Sequence, residues 1–96
     1  MNPAIVISER DNVATALEPL DAGQTIDVSG SPLAVIETIP RGHKIALRAI
    51  GAGEIVVKYG SAIGHASCDI ASGTHVHTHN VVSDRGRGDL EAERTR

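Results

Sequence analysis

Four times along this chain an apolar residue, two turn-prone residues, a glycine, two further residues and a second apolar residue follow one another. The copies are Leu20-Gly23-Ile26, Ile39-Gly42-Ile45, Ile50-Gly53-Val56 and Ile70-Gly73-Val76. Glycine reaches positive φ at no steric cost, which suits a tight turn that feeds a strand. The copies are spaced irregularly, so they do not describe a solenoid of fixed period. They describe a compact all-β domain entered repeatedly from turn to strand.

Strands are predicted over Ile5 to Ser8, Thr25 to Val28, Leu33 to Thr38, Lys44 to Ala49, Ile55 to Lys58, Ser61 to Ala66 and His75 to His77. One short helix is predicted over Asp11 to Glu18, with Asp11 or Asn12 as its cap, Val13, Ala14 and Leu17 on one face, and Pro19 as its stop. The domain is expected over 1–82. From 83 to 96 the composition changes: eight of fourteen residues are charged, four of each sign, and Leu90 is the one large apolar residue. A charged, flexible tail is expected there.

The core must be made without aromatic bulk, because the chain has no Trp or Phe and Tyr59 is its one aromatic residue. A thin core of Val, Ile, Leu and Ala in 96 residues gains from docking onto something larger. A net charge of -3 and the lack of stacking platforms argue against nucleic acid. No stretch has the length of a membrane span, and no basic segment precedes an apolar run at the N-terminus. Cys68 has no second cysteine to pair with, so a reducing compartment fits and a cytoplasmic location is expected.

Chemistry concentrates in Gly73 to Asn80, where His75, His77 and His79 hold three of the five histidines. Val76 between Thr74 and Thr78 favours an extended backbone, which sends alternate side chains to one face at about 6.6 Å per two-residue step. Neighbouring strand imidazoles are common ligands of transition metals. On a straight strand the outer pair sit roughly 13 Å apart, so a common ion requires a bend or ligands from elsewhere. The same pattern also describes a solvated polar face. Arg41, Gly42, His43 and Lys44 form a second cluster, suited to a substrate carboxylate or to a plain solvent-facing turn. Lys58 and Tyr59 end an apolar run. His65 reads as a half-buried strand residue, and Asn80 as a strand end whose amide can orient an imidazole.

Taken in order, Asp-Asn-Val-Ala (Asp11 to Ala14), Ile-Pro-Arg-Gly-His-Lys-Ile-Ala-Leu (Ile39 to Leu47), Val-Lys-Tyr-Gly (Val57 to Gly60), Ile63-Gly64 and the histidine segment resemble one family. It is the N-terminal SAF-type, β-clip domain of altronate and galactarate dehydratases, with standalone small subunits such as the alpha subunit of sulfolactate sulfo-lyase. The resemblance implies a β-clip domain and a lyase acting on a sugar acid or a similar hydroxy acid. It implies a divalent metal, iron (Fe2+) or Mn2+, shared with a large catalytic subunit on which this small one completes an active site. The chain stops where fused relatives continue, so no activity is expected of it alone. On this reading His43, Lys44 and His77 are the catalytic candidates, Arg41 and Lys58 the substrate contacts, and His75, His77 and His79 the metal ligands. A non-catalytic SAF-type binding or assembly module is the contrasting reading.

Overall fold

A computed structural model describes residues 3–83, so the expected tail from 84 onward lies outside the described residues. Nine short strands account for the regular structure: β1 (Ala4–Ile5), β2 (Val13–Ala16), β3 (Thr25–Val28), β4 (Ser31–Ala34), β5 (Lys44–Ala46), β6 (Ile55–Lys58), β7 (Ser61–Ala66), β8 (His75–Val76) and β9 (Val81–Val82). They form a four-stranded sheet in the order β1-β2-β5-β8, a β3-β4 hairpin, and a three-stranded sheet in the order β6-β7-β9, with every pairing antiparallel. No helix of the described residues is long and apolar enough to cross a membrane.

The four glycine copies are the scaffold of this arrangement. Each glycine has φ between +82° and +91°. In each copy the residue after the glycine donates a backbone hydrogen bond to the residue three before it, as in a type II turn. The copies also pair. Leu20 and Ile39 exchange backbone bonds at 2.9 Å in both directions, and Ile50 and Ile70 do so at 2.8 Å. The apolar residues of the first two copies lie in one core cluster with Ala14, Val28, Leu33 and Val35. Those of the last two lie in a second cluster with Val13, Ala46 and Ala66. The four-stranded sheet runs between the clusters, because Ala14 and Ile45 point to one side while Val13, Ala46 and Val76 point to the other.

The predicted helix over Asp11 to Glu18 is a correction: its centre is β2, paired with both β1 and β5. Val13, Ala14 and Ala16 are all buried, which a strand sandwiched between two cores requires and a one-faced helix does not. Nor are Asp11 and Asn12 helix caps. The Asp11 carboxylate accepts the N–H groups of Ile7, Ser8 and Gly60, and the Asn12 side chain spans β6 by donating to the Ile55 carbonyl and accepting the Val57 N–H. Leu17, assigned to the apolar face, is exposed.

Strand ends also differ. The predicted first strand is Ala4–Ile5, the predicted Leu33 to Thr38 strand begins at Ser31 and ends at Ala34, and Lys44 to Ala49 ends at Ala46. Pro32 is tolerated inside β4 because that strand has a partner on one side only. Thr25–Val28, Ile55–Lys58 and Ser61–Ala66 have the expected bounds.

Candidate metal centre

The centre forms where β5 meets β8. Ile45 faces His75 and Lys44 faces Val76 in the register of that pair. Two residues before Ile45, the Gly42 turn delivers His43 to the same face of the sheet, diagonal to His75. There His43 Nδ1 and His75 Nε2 are 2.8 Å apart. β8 then ends at Val76 rather than His77, and the chain turns through His77 to Asn80.

Asn80 shapes that turn. It is buried, its Oδ1 accepts the His77 N–H at 2.9 Å, and its Nδ2 donates to the His75 carbonyl at 2.8 Å. Its own N–H and that of Val81 both donate to the His77 carbonyl. The amide therefore holds the histidine backbone and not an imidazole. The bend carries the His77 ring over His43, with centroids 3.9 Å apart and planes within 12°.

His43, His75 and His77 each offer a ring nitrogen within 4.8 Å of the others. His79 is outside that set, exposed, with its ring centroid 5.0 Å from that of His75 and tilted by 37°. Alternation along one strand groups His75, His77 and His79. The structure groups His43 with His75 and His77, through a cross-strand register and a bend.

Burial lowers the pKa of His75, and the neighbouring His79, His43 and His77 push it the same way, while Glu37 opposes them. The His77 pKa is also lowered, by desolvation first and then by His43, Lys44 and His79. Both rings therefore stay neutral to lower pH than an ordinary imidazole, and the neutral form is the ligating one. His77 Nδ1 is buried and has no hydrogen-bond partner. An orphaned ring nitrogen among three converging imidazoles fits a divalent transition ion, whose bound nitrogens stand about 2.9–3.4 Å apart.

The other candidates lie around this edge. Lys44 is half-buried and shares with His77 the wall of a shallow hollow of about 190 Å³, completed by Ile63, Thr78, Val81 and Ser83. Its pKa is lowered by burial and by the charge of Lys58. Lys58 closes β6, with Nζ 5.0 Å from the Tyr59 ring centroid. Arg41 is exposed in the turn between Pro40 and His43. His65 sits on β7 across from Ile55 and Val82, in a different sheet from the cluster. Thr15, which no sequence motif singles out, faces Lys44 across β2 and β5 and accepts the Tyr59 hydroxyl at 3.0 Å. Its hydroxyl side chain in an alanine-rich stretch carried no local signal of that partner.

Comparison with known proteins agrees with these motifs. Residues 2–84 match the altronate/galactarate dehydratase SAF domain. The chain is 45% identical over 84 residues to altronate dehydratase of Bacillus subtilis (strain 168), covering 88% of this chain and 17% of that protein. It is 46% identical over 77 residues to altronate dehydratase of Escherichia coli (strain K12), covering 80% and 16%. Identity is also 46% over 61 residues with (2R)-sulfolactate sulfo-lyase subunit alpha of Paracoccus pantotrophus, there covering 64% of this chain and 91% of that subunit. The chain thus spans about a sixth of the length of the altronate dehydratases and most of the sulfo-lyase subunit. An all-β fold and a family match that spans every described residue make this chain a member of the altronate/galactarate dehydratase SAF-domain family.

Proposed function

We propose that this chain is the small subunit of a cytoplasmic, divalent-metal-dependent hydro-lyase that removes water from a sugar acid such as altronate or galactarate. The observation that carries the reading is the convergence of His43, His75 and His77, with one buried ring nitrogen left unpartnered. Those three imidazoles hold the metal, iron by preference and manganese as the substitute. When bound, the metal supplies a Lewis acid that spreads negative charge developing next to a carboxylate. Lys44, which shares one wall of the adjoining hollow with His77, is placed to hand a proton to a departing hydroxyl. A lowered lysine pKa suits that exchange, since a group titrating nearer to neutrality gives and takes protons more readily.

A hollow of about 190 Å³ is smaller than the roughly 300–1,000 Å³ that encloses a small-molecule ligand. The remaining walls come from a large catalytic subunit, and the histidine edge completes the site. A second reading, the alpha subunit of a sulfolactate sulfo-lyase, is favoured by the 91% coverage of the Paracoccus subunit. It keeps the same histidines and exchanges the leaving hydroxyl for sulfite.

The test is to purify the tagged chain anaerobically from its own cells, with wild-type residues and with His43, His75 and His77 replaced by alanine. The wild type should bring a larger lyase-like chain and stoichiometric divalent metal, and dehydrate altronate or galactarate. The triple variant should retain the partner and lose metal and turnover. Release of sulfite from sulfolactate instead would select the second reading. Full turnover by the triple variant would leave a non-catalytic assembly module as the surviving account.

A further inference from the structure

The sheet face opposite His43 and His75 carries a second constellation, assembled from three separated stretches of chain. Thr15 and Lys44 are direct cross-strand partners on β2 and β5, both half-buried. They share their face with Val13 and Ala46, which pack in the cluster that also holds Val56 and Ala66. The β6-β7 hairpin therefore lies on this side, and its tip is Tyr59-Gly60, a two-residue turn between the paired Lys58 and Ser61.

Tyr59 is held there at φ +54° and Gly60 at +77°. Turns of this kind strongly prefer Asn, Asp or Gly at the first position. An aromatic residue in the left-handed region is strained, and such strain persists where the surroundings hold it in place. Here the hold is visible: the Tyr59 hydroxyl donates to Thr15 Oγ1 at 3.0 Å, beside Lys44. Lys58 Nζ stands 5.0 Å from the same ring, and Lys58 is close enough for its charge to act on Lys44. Lys44 and Lys58 thus flank the Tyr59–Thr15 pair, and the hollow beyond Lys44 contains His77 with its unpartnered, buried Nδ1.

We infer that Lys44 and Lys58 receive the carboxylate of a hydroxy acid, with Tyr59, anchored on Thr15, positioning Lys58. A carboxylate only accepts hydrogen bonds, and it would relieve the repulsion between the two ammonium groups while taking a bond from each. Lysine heads on flexible stems tolerate more than one angle of approach, which suits a site finished by another surface. The α carbon is one bond from the carboxylate. An acid anchored at Lys44 therefore presents that carbon along the wall that Lys44 shares with His77. This assignment rests on the hydro-lyase reading for its substrate class. Its geometry does not depend on a metal.

The metal-free chain, labelled for lysine and backbone NMR, is titrated with galactarate and separately with galactitol, the same carbon skeleton without charge. Galactarate should shift Thr15, Lys44, Lys58 and Tyr59, and galactitol should not. Lys58→Met and Tyr59→Phe should each weaken galactarate binding, Lys58→Met by about tenfold, with the remaining resonances unmoved to show that the fold persists. His43→Ala should abolish metal binding and leave the galactarate shifts in place. That variant separates the two claims, and a wild-type chain that binds galactarate but no metal keeps this receptor and sinks the metal reading. Shifts confined to the histidines, equal shifts with galactitol, or none at millimolar galactarate would overturn the receptor.

Discussion

Asn80 governs the histidine cluster without touching an imidazole. Its amide clamps the His77 N–H and the His75 carbonyl, and so sets the angle at which the two rings leave the chain. Asn80→Ala removes both bonds from a buried position and should cost about 1–3 kcal/mol. It should also weaken divalent-metal affinity at least roughly tenfold, as loss of groups that orient ligands does. Thermal melts and a competitive metal titration read the two effects; metal affinity equal to wild type would refute the role given to the clamp. The sequence showed part of this cluster and hid part. Alternation made His75 and His77 legible as neighbours, and the separation of His75 from His79 on a straight strand called for either a bend or ligands from elsewhere. His43 was legible as a turn residue and a catalytic candidate but not as a partner of His75, because that proximity comes from the β5-β8 register 32 residues away in sequence.

Gly64 belongs to the scale of elements. The β6-β7 ladder slips at a bulge between Val56 and Val57, and after it β7 runs tightly along β9. A Cβ on Gly64 would press into the Val82 carbonyl oxygen, and the Val81 side chain closes the other direction. Gly64→Ala should therefore destabilise the fold by about 1–3 kcal/mol, lowering the melting temperature by about 4–8 °C per kcal/mol. A melting temperature unchanged from wild type would show that β9 yields freely. Thr25–Val28 and Ile55–Lys58 had legible bounds because turn residues bracket β-branched runs. β2 was misread for a physical reason: Val13, Ala14 and Leu17 have helical spacing, and Asp and Asn are good helix caps. Besides Ile7 and Ser8, their partners Ile55, Val57 and Gly60 are more than forty residues away, and no local pattern reveals them. β9, just two residues long, exists through its pairing with β7 and has no strand-length run of its own.

For the whole molecule, two acid-sensitive regions set the pH dependence of stability. His75 and His77 have pKa values below the ordinary 6.5 in the folded chain. As pH falls below 6.5, the unfolded chain takes up protons that the folded one resists, so stability declines until the lowered values are passed. Asp11 acts in a lower window. Burial alone would raise its pKa, but the backbone N–H groups of Gly60, Ser8, Ile7 and Tyr59 outweigh it and bring the value below 3.8. Its stabilisation is present above 3.8 and is lost as pH drops through the folded value. Melting temperature against pH in the metal-free chain should therefore fall in two stages, and Asp11→Asn should flatten the lower one. A single stage confined below pH 4 would contradict the histidine contribution. At this scale the paired glycine turns were the legible part, since the repeated motif was visible. That the copies join as Leu20 with Ile39 and Ile50 with Ile70, making two cores around one sheet, was not. Tyr59 has a further consequence for anyone handling the protein. It is the one aromatic side chain of 96 residues, so all the ultraviolet fluorescence arises from a single phenol at one hairpin tip. That phenol is bonded to Thr15 and overhung by Lys58, which makes its emission a label-free optical gauge of whatever arrives at that surface.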